Sequence, residues 1–193
     1  MAAQPKDQRS YADYLILEAS SPDLRREYLR GEVWSMAGGT PEHALYATNF
    51  LGLVRAALKG RPCAAYGSDL RLRIDATDRT TYPDGIVICG PRLVSAVDSN
   101  AVVNPTLVLE VTSDDTEADD RGEKFAHYRH LATLQEYVIV SHRQRRVEVF
   151  RREATAWALR EYASATEVEL QSLGIRIPVQ GVYDDPNAPG AGV

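Results

Sequence analysis

The chain has 193 residues, a net charge of −5 and a hydrophobic share of 44%. Those values suit a single domain with a substantial core built without disulfides, and they exclude a disordered or low-complexity polypeptide. The mild acidity argues against a protein that coats nucleic acid through bulk positive charge, but it leaves room for a local basic groove beside a carboxylate site.

Met1 to Arg9 is polar and reads as a frayed tail without the apolar stretch of a secretion signal. No apolar run is long enough to span a membrane, so no membrane association and a cytoplasmic location are expected. Ser10 is placed to cap an amphipathic helix through about Glu18, with Tyr11, Tyr14, Leu15 and Leu17 as its apolar side. Ser20-Ser21-Pro22-Asp23 breaks it. Arg26 to Ala37 alternates loosely around Gly31 and reads as a hairpin or bent strand. Thr40-Pro41-Glu42 then combines a cap, a proline at the first helical position and an acid at the positive dipole end. The helix it opens runs to about Lys59, with Leu45, Thr48, Phe50, Leu51, Val54 and Leu58 at helical spacing.

Cys63 to Asp75 reads as an alternating strand, with Leu70, Leu72 and Ile74 on one side and Arg71 and Arg73 on the other. Tyr82–Cys89, Thr106–Val111 and Tyr137–Ser141 are apolar strands, the last two continuously so, as central strands are. Between those two, Thr116 to Leu131 has the pattern of an amphipathic helix. Strand, crossover helix and strand make a βαβ unit with parallel strands. Finishing strands are expected at Arg146–Arg152, Trp157–Tyr162 and Glu167–Leu170, with a last helical turn beginning near Ile177–Val179. Residues 10–183 are therefore read as one domain, and 184–193 as a disordered Pro/Gly/Ala-rich tail. Cys63 and Cys89 are read as two reduced core thiols, since no Cys/His metal spacing exists.

The chemistry centres on Asp84 and Glu110. Each carboxylate borders an apolar strand, where a buried charge is costly unless something compensates it. A divalent cation is such a compensator. Oxygen ligands suit magnesium, which keeps several waters and needs only one or two protein carboxylates. Lys124, on the following helix, would orient the attacking water and stabilise charge in phosphodiester cleavage. Read singly, Asp84 is a turn residue after proline and Lys124 a surface lysine paired with Asp120 one turn earlier. Glu110 is harder to explain that way, because no turn residue stands beside it. Glu32 and His43 are outer candidates, and the helix dipole disfavours a cationic His43. Arg71, Arg73, Arg143, Arg145 and Arg146 are candidate contacts to a DNA backbone, with a solvated surface as the alternative. There is no Gly-x-Ser-x-Gly elbow and no phosphate-binding Gly-x4-Gly-Lys loop.

The order of these parts resembles the Uma-two family of bacterial endonucleases, within the PD-(D/E)XK, restriction-endonuclease-like superfamily. The resemblance runs from about Tyr11 to Tyr183. It rests on Glu27-Tyr28-Leu29-Arg30-Gly31-Glu32, Met36-Ala37-Gly38-Gly39-Thr40-Pro41-Glu42-His43, Gly67-Ser68-Asp69-Leu70-Arg71 and Tyr82-Pro83-Asp84. It continues through Leu109-Glu110-Val111-Thr112-Ser113, Asp120-Arg121-Gly122-Glu123-Lys124 with Tyr128, and Leu134-Gln135-Glu136-Tyr137. It implies an α/β fold, with a restriction-endonuclease-like core whose central mixed sheet is flanked by helices. It also implies metal ligation by Asp84 and Glu110, and assistance from Lys124. The superfamily's lysine stands two residues after the second acid, where this chain has Thr112, so the resemblance implies that the role has moved to the next helix. Arg30 stands where the family commonly has an acid. Two functions are therefore expected in competition. One is a magnesium-dependent DNA endonuclease, with manganese as a substitute. The other is a non-catalytic nucleic-acid-binding or protein-assembly module that retains the fold. A homodimer would suit palindromic DNA.

Overall fold

A computed structural model of the protein describes residues 8–36 and 38–187. Residues 1–7 and 188–193, most of both expected tails, lie outside the described residues. Of the C-terminal tail, Asp184 is held by its carbonyl, which accepts a 2.8 Å bond from Asn49.

Helix α1 (Tyr11–Ser20) begins with a reciprocal capping box between Ser10 and Asp13. Strands β1 (Arg26–Leu29) and β2 (Glu32–Ser35) form a hairpin. Its two-residue turn has Arg30 at φ 48° and Gly31 at φ 94°, and a tight hairpin turn of this handedness needs positive φ at both central residues. Helix α2 (Pro41–Ala57) is capped by Thr40, as its sequence predicts. Strands β3 (Cys63–Gly67), β4 (Arg71–Ile74), β5 (Arg79–Thr81), β6 (Gly85–Cys89), β7 (Ala101–Val102) and β8 (Leu107–Val111) follow. The expected single strand over Cys63–Asp75 is thus two. A turn closed by Leu70 N–H to the Gly67 carbonyl separates them, and each half joins a different sheet.

The segment after β8 is helical in three pieces: α3 (Glu117–Asp119), a π turn over Asp120–Lys124, and α4 (Phe125–Tyr128). Strands β9 (Glu136–Val140), β10 (Arg146–Arg152), β11 (Trp157–Ala163), β12 (Glu167–Leu170) and β13 (Ile175–Pro178) complete the chain with helix α5 (Val179–Val182). The six-stranded sheet has the order β11-β10-β9-β8-β6-β3. Within it β8 and β9 run parallel across the helical crossover, as a βαβ unit requires, and the other pairs are antiparallel. A five-stranded sheet, β2-β1-β5-β4-β7, and the β12-β13 ribbon complete the architecture. The fold is a mixed α/β arrangement of mixed sheets flanked by helices.

Two cores cover the two faces of the six-stranded sheet. On one, Phe50, Val54 and Leu58 of α2 meet Leu107, Leu109 and Val111 of β8. On the other, Val108 packs with Tyr128, Tyr137 and the small sheet's Leu72 and Ile74. Strand alternation puts Glu110 on the same face as Val108, inside this second layer. The fold thereby delivers a carboxylate into a buried space between two sheets and a helix.

Cys63 and Cys89 are directly opposed on β3 and β6 and joined as a disulfide, which corrects the expectation of two free thiols. The antiparallel register brings the two residues together, and sequence spacing does not report it.

Candidate active site

Asp84 sits between β5 and β6 behind Pro83. Its Oδ2 accepts a 2.7 Å hydrogen bond from the Val111 N–H, which ties it to the end of β8. His43, in the first turn of α2, places Nε2 3.2 Å from the same oxygen. That hydrogen bond is the largest influence on the imidazole. It outweighs burial and raises the pKa of His43, which corrects the dipole-based expectation of a disfavoured cation. The Val111 carbonyl adds to the upward shift of His43.

Glu110, one residue before that carbonyl, is 3% exposed. Its Oε1 accepts a 2.6 Å hydrogen bond from the Tyr128 hydroxyl and lies 3.3 Å from Lys124 Nζ. Burial raises the pKa of Glu110. Lys124 opposes the shift, while the neighbouring charges of Asp120 and Asp84 add to it. Burial also raises Asp120, against the pull of Lys124. Lys124 Nζ lies 2.9 Å from Asp120 Oδ1, yet that buried oxygen accepts no hydrogen bond, so the pair is close but poorly aligned. Burial alone would lower Lys124. The carboxylates of Glu110 and Asp120 outweigh it and hold the ammonium above its ordinary pKa.

The π turn explains how one short segment supplies these groups. Residues four apart drift around an ordinary α-helix, and a π turn, with more residues per turn, brings them closer to one line. Asp120 and Lys124 bracket this turn, Tyr128 follows four residues on, and all three bear on the Glu110 side. Tyr137 fixes the turn from the sheet by donating 2.9 Å to the Asp120 carbonyl.

Asp84, Glu110, Lys124, His43 and Asp120 are thus brought together. Glu32 is exposed on β2, opposite Leu29 in the hairpin. Glu27, buried on β1 two residues before that partner, interacts electrostatically with Lys124 instead. Arg71 and Arg73 belong to other networks. Arg71 pairs with Asp98 at 2.7 Å, and Arg73 pairs with Asp78 at 2.6 Å under the Tyr11 ring. Arg146 pairs with Glu148 at 3.0 Å. Arg143, exposed, meets Asp114 at 2.5 Å, while the exposed Arg145 side chain has no hydrogen bond or ion pair among the described residues. Sequence reasoning missed Tyr128 and Glu27 as site neighbours. The spacing of four between Lys124 and Tyr128 was a usable signal for the first.

A divalent cation can be tested against this donor set. Asp84 Oδ1 and Glu110 Oε2 take no hydrogen bond or ion pair from the described residues, and three buried or half-buried acids face one lysine and one histidine. The excess of acid suits a hard cation. Among the described residues no three His, Cys, Asp or Glu side chains are grouped closely enough to form a metal cage by themselves. That is compatible with magnesium, which takes one or two carboxylates and otherwise water or carbonyl oxygen.

A structure from Anabaena variabilis described as a "putative nuclease belonging to DUF820" shares the fold at a TM-score of 0.67 and 16% identity, covering 82% of this chain and 89% of that one. Two proteins of Synechocystis are similar in sequence. Uncharacterized protein slr1290 is 32% identical over 180 residues, 93% of each chain, and uncharacterized protein sll1609 is 30% identical over 141 residues, 73% of this chain and 79% of its own. The Uma2 family model, described as "Putative restriction endonuclease", matches residues 11–180. The chain belongs to the Uma2 family.

Proposed function

We propose that the protein is a magnesium-dependent endonuclease that hydrolyses DNA phosphodiester bonds, with manganese as a substitute. The observation that carries this reading is the convergence of Glu110, Asp120 and Lys124 within 3.3 Å contacts, beside an Asp84 fastened to the same strand end. Asp84 and Glu110 would hold the ion through their uncommitted oxygens, with the Val111 carbonyl adjacent. Bound magnesium polarises a phosphoryl oxygen and makes a bound water more acidic. Lys124, kept as an ammonium by two carboxylates, would donate hydrogen bonds and stabilise charge on the phosphorane-like transition state rather than remove a proton. Tyr128 would hold Glu110 so that Oε2 faces the ion. Asp120 would align the amine. Arg145 and Arg143 would meet the DNA backbone from the β9–β10 turn. A two-fold dimer would match palindromic DNA.

Supercoiled DNA incubated with and without magnesium tests the reading. Cleavage is expected only with the ion, and is expected to fall by at least about 100-fold, to a measurable residual rate, when Asp84, Glu110 or Lys124 is replaced by Ala. Folded Ala variants that cut as well as the wild type would remove these assignments.

The second reading is a binding or assembly module that keeps the fold. What favours it is that Lys124 and His43 already pair with the acids. Calorimetric titration of magnesium into wild type and Glu110→Ala separates the two. Site-dependent heat favours the enzyme, and its absence favours the module.

No helix among the described residues is long and apolar enough to cross a membrane. The Cys63–Cys89 disulfide runs against the proposed cytoplasmic location, because reducing compartments keep such thiols open, so a thiol count tests it. Two titratable thiols in protein trapped at lysis support it, and none count against it.

A further inference from the structure

The helical segment after β8 carries a second stripe, one residue out of step with the first. Asp119 and Glu123 lie 3.7 and 3.8 Å from the guanidinium of Arg79, and His127 pairs with Glu123 at 3.7 Å. Arg79, on β5 of the small sheet, is 1% exposed, so its charge requires partners. Its firm partner is Glu27 on β1, at 3.2 Å. Glu27 is fixed in turn by the Thr81 hydroxyl. Electrostatically, Glu27 reaches both Lys124 and Tyr128. The contacts to Asp119 and Glu123 are longer than hydrogen bonds, and Arg79 Nε has no hydrogen-bond partner. The arginine is therefore anchored tightly on the sheet side and loosely on the helix side. A π turn has a weaker internal ladder than an α-helix and depends on its surroundings to persist.

Resting on the endonuclease reading above, we propose that Arg79 and Glu27 are positioning residues. They reach across from the small sheet and hold the π turn so that Lys124 and Asp120 meet Glu110. Neither touches the reacting atoms. Arg79 bears on the acidic stripe of the segment, Glu27 bears on Arg79, and the adjacent stripe carries the chemistry.

The test uses the full chain with Arg79→Ala, Arg79→Lys and Glu27→Gln, each alone and combined with Lys124→Ala. Arg79→Ala is expected to lower kcat by about 10- to 100-fold, the scale of a displacement of about 1 Å at a site, with KM for DNA unchanged. Arg79→Lys recovers only part of this, because an ammonium cannot fork between Glu27 and the helix. In the Lys124→Ala background the same substitution costs almost nothing further, because its effect runs through the lysine. In metal-free protein, hydrogen exchange at residues 119–128 speeds at least about tenfold while β8 and β9 keep their protection. Losses that multiply with Lys124→Ala, or unmoved exchange at 119–128, overturn the proposal. If the wild type cuts no DNA, the endonuclease reading fails by itself, and the exchange measurement alone decides whether the pair holds the turn. Glu27→Gln, nearly isosteric, carries the same comparison where Arg79→Ala does not fold.

Discussion

Two clusters of buried charge lie at opposite ends of Tyr82-Pro83-Asp84, and they are finished differently. In the first, Glu18 and Asp98 surround Arg71. Glu18 takes bonds from the Tyr82 hydroxyl and the Arg26 N–H, and Asp98 from Tyr11, Asn100 N–H and Arg71. Two acids face two arginines, and every carboxylate oxygen has a donor. In the second, Asp84, Glu110 and Asp120 share Lys124 and His43, and each acid keeps an oxygen without a hydrogen bond among the described residues. Buried polar groups that serve stability are usually satisfied, so a cluster left in deficit is the one to associate with a ligand. Both networks pair buried carboxylates with cationic side chains, and completeness separates them.

The largest effect expected from this contrast concerns activity. Glu110→Ala or Asp84→Ala should reduce magnesium-dependent DNA cleavage by at least about 100-fold, measured as initial nicking rate, with the fold intact by circular dichroism. Arg71→Ala should do the reverse. It leaves Asp98 without a cationic partner among the described residues and costs roughly 3 kcal/mol of stability in a denaturant titration, while the folded fraction still cleaves. An Arg71→Ala protein as stable as the wild type would erase the distinction between the clusters.

Acidity sharpens the contrast. Burial raises the folded-state pKa of Glu110 above its unfolded value, so its favourable contribution is complete below the unfolded pKa and is lost as pH rises through the folded one. Glu110→Gln should therefore stabilise the metal-free protein at neutral and alkaline pH. A rise of about 2–4 °C in Tm is the equivalent of roughly 1 kcal/mol in a chain of this size, and it should fade near pH 4. A Tm that is unchanged or falls at pH 8 would mean that Lys124 already balances the site. The smallest effect belongs to the rim. Arg145→Ala should weaken DNA binding uniformly across sequences and lower the salt slope of the affinity by about one, as loss of a single phosphate contact does.

Part of this organisation was legible in local pattern. The Thr40-Pro41 helix start, the parallel β8–helix–β9 unit and the apolar runs around Asp84 and Glu110 follow from caps and periodicity, which neighbouring residues set among themselves. The pairing of Asp84 with His43 was not legible, because it joins a helix start to a strand junction far along the chain. Arg71 and Arg73 looked like a free basic face, and tertiary partners occupy both.

From its own order of residues, the chain determined the capped helix after Thr40, the central strands around Asp84 and Glu110, and which carboxylates stand at strand ends, whereas Ile177, expected in a last helical turn, lies in strand β13. Alternation and capping are short-range effects that need no knowledge of the whole. Only the tertiary structure decided which charges are satisfied, that the Cys63–Cys89 thiols meet, and that a π turn lines up Asp120 and Lys124 under Glu110. Burial and ion pairing depend on what a second sheet and a distant helix bring within a few ångströms, and that information is not carried by any single stretch of sequence.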